Sequence, residues 1–437
     1  MDERAFRRHL LAALAVAVLV RAIALTIPVD PFLNPDSFAF RDLTRSLIER
    51  GRLAYVDQGA PGIELVAFRS LLYPIFLAGF VALGTGFAGA LVAQAVLGLG
   101  TIALVAFIAR HAFGNRVATV TAWIGALYWG SLYFERQITS EALFAPLLAL
   151  AVWLAVRVVN PHGLALPHGM AVPRGLSVPQ ALAAAHGVPA PRGGVLRAAA
   201  AGAAFGLTAL TRPAGLVAGV ALAGHWTLSG LGLRIVLGLL LALSLVLAPA
   251  LARNHALIGQ PAVLTSGGMN FWIGNGRGEV GDAWKIMART APTLGERGMD
   301  RWFYADTWAH RAEILRRAPR LLADKVYMFV GPFATEGWYL PYRFLLPLVT
   351  LGLLWPAARR ATDPVASGVL AVVLASQVAL ALATVAWARY RFPIEPLLWP
   401  YAAGSIAELV RRGWRGRLAL LGIVVLNGAL LAWQMRR

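Results

Sequence analysis

Cysteine is absent from the 437 residues. This excludes disulfides, thiolate nucleophiles and thiolate-bound metal, and says nothing of compartment. Acidic residues are scarce, 21 against 40 basic, and only Lys285 and Lys325 among the latter are lysine. Charged residues make up only 14% of a chain that is 58% hydrophobic, with mean hydropathy +0.65. Apolar runs of about 17 to 25 residues recur along its whole length, each long enough to cross a bilayer as a helix. The net charge of +19 therefore points to cytoplasmic loops and lipid headgroups, not to nucleic acid. P-loop, nucleophile-elbow, HExxH and zinc-finger patterns are all missing. His162, His168 and His186 lack tight ligand spacing and carboxylate companions, so no metal site is assigned.

What is there reads as an all-α polytopic membrane protein. A first helix over 10–28 follows Arg4, Arg7 and Arg8 and shows no small-residue cleavage pattern, so a retained span is expected, with its N-terminus inside. Later crossings are expected at 88–109, 117–134, 138–158, 197–211, 214–229, 235–252, 344–357, 365–387, 393–410 and 418–434, about eleven in all. The apolar stretch 70–83 is short and broken by Pro74 and Gly79. Kept outside as an interfacial or re-entrant helix, it leaves the arginine-rich loops inside and all but four acids (Asp2, Glu3, Asp363 and Glu408) outside. The chain then divides into the first span (1–28), an outer loop (29–87), a bundle (88–252), a second outer loop (253–343) and C-terminal spans (344–437). Both outer loops are expected to carry juxtamembrane helices. Residues 160–194, rich in Pro, Gly, Ala and His, read as a flexible cytoplasmic linker.

Asp30, Asp36, Asp42, Glu49, Asp57 and Glu64 crowd the first outer loop between two apolar segments. Such a concentration suits chemistry at the membrane face. Asp36 is the candidate general base for a hydroxyl acceptor. It equally suits the N-cap of an amphipathic helix from Asp36 to Gly51 in which Phe40, Leu43 and Leu47 share a face. Asp30, Asp57 and Glu64 are weaker rivals, while Asp42 and Glu49 fit surface pairs with nearby arginines.

Arginines form a second constellation on the outer side: Arg69, Arg212, Arg253, Arg389 and Arg391, with Arg21 towards the outer end of the first span. Each alone suits a lipid anchor; together at one depth they suit a phosphate at headgroup level, which arginine binds bidentately. Glu141, about a turn into an apolar segment, and Arg136 beside Glu135 are candidates for orienting an arginine or a sugar; a structural ion pair is the alternative. The glycines and asparagines at 274–276, Asn275 included, suit a loop over a substrate.

Taken together, several stretches resemble the GT-C superfamily of membrane glycosyltransferases, in particular bacterial relatives of protein O-mannosyltransferases and lipid A aminoarabinose transferases. They are Asp36 with Phe40 and Leu43 behind it, Arg69-x-x-x-Tyr73-Pro74, Ser140-Glu141, Thr211-Arg212-Pro213, Ala252-Arg253-Asn254, the Asn270–Asn275 run and Arg389-Tyr-Arg391-Phe-Pro-Ile-x-Pro396. The resemblance implies a sugar carried on a polyprenyl phosphate and transferred with inversion at the outer face of the bacterial cytoplasmic membrane. Asp36 would be the base; Arg69, Tyr73, Arg212, Arg253, Arg389 and Arg391 would hold the donor; Glu141, Arg136 and Asn275 would orient substrate. A divalent cation could help neutralise the phosphate, and no motif decides it. The acceptor, whether lipid, glycan or protein, stays open. The chain departs from the mannosyltransferases in having Ser37 where a Glu follows the Asp, and Ser70-Leu71 where prolines are usual. A lipid-linked sugar transporter or a ligase using a diphosphate-linked donor is the alternative.

Overall fold

The computed structural model describes residues 1–57, 62–160, 193–331, 340–355 and 363–434. The three histidines and all but the ends of the expected linker lie outside them.

The described chain is built from helices. In order they are α1 (Glu3–Thr26), α2 (Pro35–Arg50), α3 (Leu72–Ala82), α4 (Gly86–Phe113), α5 (Asn115–Leu127), α6 (Trp129–Glu135), α7 (Glu141–Val159), α8 (Gly194–Thr211), α9 (Ala214–Leu228) and α10 (Leu233–Ile258). Then follow α11 (Gly267–Gly274), α12 (Val280–Ala309), α13 (Arg311–Val330), α14 (Leu340–Leu354), α15 (Pro364–Ala383), α16 (Ala388–Arg391), α17 (Glu395–Arg411) and α18 (Trp414–Gln434). Seven of them (α1, α4, α7, α8, α10, α15 and α18) are long and apolar enough to cross a membrane. The apolar α3, α9 and α14 are shorter. At 11 residues, α3 reaches only about 16 Å, roughly half the hydrocarbon thickness. The segment expected as one span over 117–134 is two helices, because Tyr128 leaves helical geometry at φ −80°, ψ 88°.

Local signals set α2. Asn34 caps it, its side chain accepting the Asp36 N–H at 3.0 Å, and Gly51 ends it in the left-handed conformation, φ 65°. The capping carbonyl belongs to Asn34, not to Asp36. That frees the Asp36 carboxylate for other partners.

Inside the bundle, Arg21 is buried and donates to Glu135 Oε1 at 2.7 Å. It therefore does not snorkel to the interface. Gly98 on α4 makes room for the pair, since a Cβ there would lie 2.1 Å from Glu135 Oε1. Gly98→Ala is expected to break the pair and destabilise the protein by about 3 kcal/mol, because a buried charge loses its partner. In an Arg21→Met/Glu135→Met background the same substitution should cost far less, which paired thermal melts would show.

The two outer loops are clasped by a single carboxylate. Glu296 on α12 accepts from the backbone N–H of Val66 (2.7 Å) and Ala67 (2.9 Å) and from the Thr265 hydroxyl (2.5 Å). One turn on, Asp300 accepts the Gly268 N–H at 2.7 Å. At its other end α11 lies directly against the strand-like exit of α15: a Cβ on Gly274 would come 1.8 Å from the Thr384 carbonyl oxygen. These contacts fix α11 and α12 over the loop that carries Asp36.

Burial pushes the Asp300 carboxyl up from 3.8 to about 6, with the Gly268 N–H opposing only in part. The folded state thus favours the neutral acid. Its stabilising contribution is complete below the unfolded value near 3.8 and fades as pH rises towards 6. Asp300→Asn stays neutral and can still accept from Gly268. It is expected to melt about 2–4 °C above wild type at pH 7.5 and level with it near pH 4.

Candidate active site

Asp36, read from the sequence as the base, stands in the first turn of α2 between two guanidiniums. Its Oδ1 lies 2.8 Å from Arg69 Nη2, and its Oδ2 accepts from Arg389 Nη2 at 2.7 Å. Arg389, on the short helix α16, also donates from Nε to Glu141 Oε1 (2.7 Å) and from Nη1 to Asn34 Oδ1 (3.2 Å). Glu141, fully buried at the start of α7, has Arg212 Nη1 at 2.8 Å. Arg212 in turn stacks over the Tyr390 ring, 5.3 Å from its centroid. Four distant stretches of chain thereby converge: the first outer loop, the start of α7, the α8–α9 corner and the entry to α17.

Three arginines face two carboxylates, so the cluster is net positive. Burial pushes the Asp36 carboxyl up, but Arg69 and Arg389 outweigh it and hold the group below the usual carboxylate range. The guanidiniums of Arg69 and Arg389 are raised in turn by the carboxylates, against the effect of burial. The donors of the three guanidiniums outnumber the oxygens of the two carboxylates, and Arg69 Nε and Arg212 Nη1 have no acceptor in line with them. An anion seated beside the cluster would find donors to spare. A cation fits poorly, since both carboxylates are already engaged. Among the described residues no group of three or more His, Asp or Glu is placed to hold a metal.

Two cavities meet at the cluster. One, of about 610 Å³, opens between α2, α11 and α12 and is walled by Phe38, Tyr55, Trp284 and Trp387 with Asp42 and Asp57. The other, of about 430 Å³, runs towards the bundle past Phe144, Arg212, Leu216, Leu380 and Ala381. Asp36, Arg69, Ser266, Asn270 and Tyr390 line both. A reacting atom at that junction would meet a carboxylate and several guanidiniums at once.

The remaining expected site residues lie elsewhere. Arg253 binds carbonyls, donating to Val66 O at 2.9 Å and Leu53 O at 2.7 Å, and so holds the first outer loop in place. Arg391 is buried beneath α13, donating to Glu395 Oε1 at 2.8 Å and to the carbonyls of Phe329 and Val330 while covering the Tyr342 ring. Tyr73 is sealed against Gln94, to which it donates at 2.7 Å. Arg136 donates to the Ile27 carbonyl. Asn275 closes the end of α11, donating to Phe271 O at 2.7 Å. Of the rivals to Asp36, Glu64 pairs with exposed Arg50 and Arg52, both at 3.1 Å. Asp30 caps a turn at Phe32 N, 2.9 Å away. Asp57 lines the 610 Å³ cavity.

Residues 69–171 match the sequence profile of the dolichyl-phosphate-mannose-protein mannosyltransferase family. No curated protein sequence matches the chain. Among solved structures, the oligosaccharyltransferase of Archaeoglobus fulgidus tethered to an acceptor peptide superposes with a TM-score of 0.55 at 14% identity, covering 98% of this chain. The same archaeal enzyme in complex with an inhibitory peptide and a dolichol-phosphate gives 0.55 at 14% identity over 98%. This chain spans 55% of that enzyme's length. ArnT from Cupriavidus metallidurans bound to undecaprenyl phosphate matches at 16% identity with a TM-score of 0.41, over 91% of this chain and 78% of its own. The resemblance read from the motifs is borne out by the family profile over residues 69–171 and by the fold shared with the archaeal oligosaccharyltransferase, and the apolar helices make the chain a multi-pass membrane protein.

Proposed function

We propose that the protein transfers a sugar from a polyprenyl-phosphate donor to an acceptor hydroxyl, with inversion, at the outer face of the bacterial cytoplasmic membrane. The observation that carries this reading is the net-positive cluster of three arginines and two carboxylates at the junction of two cavities. Arg69, Arg212 and Arg389 suit a phosphate's oxygens, and arginine forks bind phosphate bidentately. The 430 Å³ cavity, with Leu216, Leu380 and Ala381 on its wall, offers the first isoprene units an apolar bed. The other cavity then receives the acceptor.

In this arrangement the acceptor oxygen attacks the anomeric carbon from the side opposite the phosphate. Its proton goes to Asp36, the bond from the anomeric carbon to the phosphate oxygen breaks, and polyprenyl phosphate departs with the electron pair. The guanidiniums stabilise the charge that builds on it. Paired with Arg69 and Arg389, Asp36 is a weak base. A donor phosphate competes for those same guanidiniums, and each contact it takes from Asp36 makes the carboxylate more basic. The family profile and the archaeal fold, which accommodates a dolichol-phosphate, support the same class of donor.

The test supplies purified protein with radiolabelled sugars on polyprenyl monophosphate, polyprenyl diphosphate and nucleotide, together with envelope acceptors. Transfer from the monophosphate alone, with an inverted linkage, is expected. Transfer only from the diphosphate would make it a ligase. Passage of lipid-linked sugar across reconstituted vesicles without transfer would make it a transporter.

A further inference from the structure

The 610 Å³ cavity in front of Asp36 is more specific than a generic acceptor site, and its walls carry chemistry that the transfer step does not use. Trp284 projects from α12 and Trp387 from the segment before α16, each partly exposed to the cavity. Phe38 and Tyr55 complete an aromatic lining. The Trp284 ring is braced by Phe68 at 6.0 Å and the Trp387 ring by Tyr390 at 6.0 Å, so both platforms are held in place. Between the rings stand the carboxylates of Asp42 and Asp57 and the Asn270 amide. Flat apolar faces interleaved with carboxylate and amide groups complement a sugar ring, whose C–H face is apolar and whose edge is a row of hydroxyls.

The charges narrow the choice. Arg41, on the rim, is paired with Asp42 at 2.9 Å, and the other cations of the cavity belong to the cluster around Asp36. Three arginines (Arg41, Arg69 and Arg389) and three carboxylates (Asp36, Asp42 and Asp57) line the cavity, so a neutral acceptor needs no further counter-charge. A peptide added as an extra strand would need free extended backbone to pair with; the walls are mostly helix flanks, and at Tyr55 the backbone N–H and C=O are both used by Leu65, at 3.1 and 2.7 Å.

We infer that the aromatic cavity is a subsite for a neutral saccharide, so that the acceptor hydroxyl belongs to a glycan. The assignment of this ligand as acceptor rests on the transferase reading; the saccharide site does not.

The test measures binding without donor or turnover. Wild-type protein in nanodiscs is titrated with neutral manno-, gluco-, galacto- and arabino-oligosaccharides, with Ser/Thr-rich peptides and with an anionic glycolipid, following tryptophan fluorescence. At least one neutral oligosaccharide should quench saturably. Trp284→Ala and Trp387→Ala should each weaken its binding about tenfold, whereas Trp284→Phe should stay within about threefold. Trp308→Ala, at an exposed site outside the cavity, serves as the control and should change nothing. Presenting the same saccharide on a neutral lipid anchor separates a glycolipid headgroup, bound tighter than the free sugar, from a soluble or polymeric glycan, bound equally. Absence of saccharide binding by the wild type overturns the inference. So does unchanged affinity in both alanine variants, or tryptophan-dependent binding of the peptides instead. Saccharide binding in a protein that consumes no donor would leave the subsite standing and remove the transferase reading.

Discussion

Asp36→Asn lowers sugar transfer about a thousandfold and leaves donor binding as tight as in wild type or tighter. The first half follows from the proposed base: general-base contributions run about 10²–10⁴, and an amide cannot take the proton. The second half comes from charge. Asparagine keeps an oxygen towards Arg69 and Arg389, but the cluster gains a unit of net positive charge, and the phosphate no longer competes with a carboxylate for two guanidiniums. Single-turnover transfer and equilibrium donor binding, measured on the same preparation, separate the two. A variant that transfers at the wild-type rate would reduce Asp36 to a partner of the arginines and direct attention to Asp57, the other outer-loop carboxylate weighed as base that lines the cavity.

Arg389→Ala should lose about a hundred- to a thousandfold in transfer, together with donor affinity and stability. One side chain here touches Asp36, Glu141 and Asn34. Its removal takes one of two guanidinium partners from Glu141, which is fully buried and keeps Arg212 at 2.8 Å. Losing one charged hydrogen bond costs about 1.5–3 kcal/mol, so a lowered melting temperature is expected as well. Adding Glu141→Gln to Arg389→Ala removes the carboxylate that has lost that partner. It should recover the melting temperature and not the transfer, which distinguishes a phosphate ligand from a structural strut. Arg389→Lys should rescue neither fully, because one ammonium cannot span the positions that the guanidinium fork reaches. Wild-type donor affinity in Arg389→Ala would remove this residue from the phosphate site.

The central cluster was legible in the sequence because charge is rare in this chain. An arginine or glutamate set among apolar residues near a span end is conspicuous, and Asp36, Arg69, Glu141, Arg212 and Arg389 all met that description. Arg253 and Arg391 met it too, yet they bind the carbonyls of Val66, Leu53, Phe329 and Val330. Which acceptor an arginine finds is settled by contacts between residues 60 or more positions apart, and spacing carries no trace of them. The wall of the acceptor cavity was missed for the same reason. Trp284 and Trp387 lie in different outer segments and meet only once α12 folds over α2. Asn270 stands five positions from Asn275 within the run that the motif reading marked, and it is the former that lines the cavities.

Helix ends were read well where one residue decides them, as at Gly51. They were read poorly where tertiary packing does. Residues 117–134 carry one continuous apolar signal, but Tyr128 turns out of the helix to donate to Glu395 on α17. The outer segment from 280 to 309 is helical on both sides of Gly295, which leaves helical geometry at φ 65°; Ala283, Met287 and Ala291 before it and Met299 and Phe303 after it pack into one core with the first outer loop.

The most direct test of the account is the affinity of a sugar-free, short-chain polyprenyl monophosphate for the wild type and for Asp36→Asn, Arg69→Gln, Arg212→Gln and Arg389→Gln. The account predicts that each arginine variant binds about tenfold or more weakly, that Asp36→Asn binds at least as tightly as wild type, and that Arg253→Gln and Arg391→Gln, if folded, bind like wild type. Wild-type affinity in the Arg69, Arg212 and Arg389 variants, or weakened binding in Asp36→Asn, would contradict it.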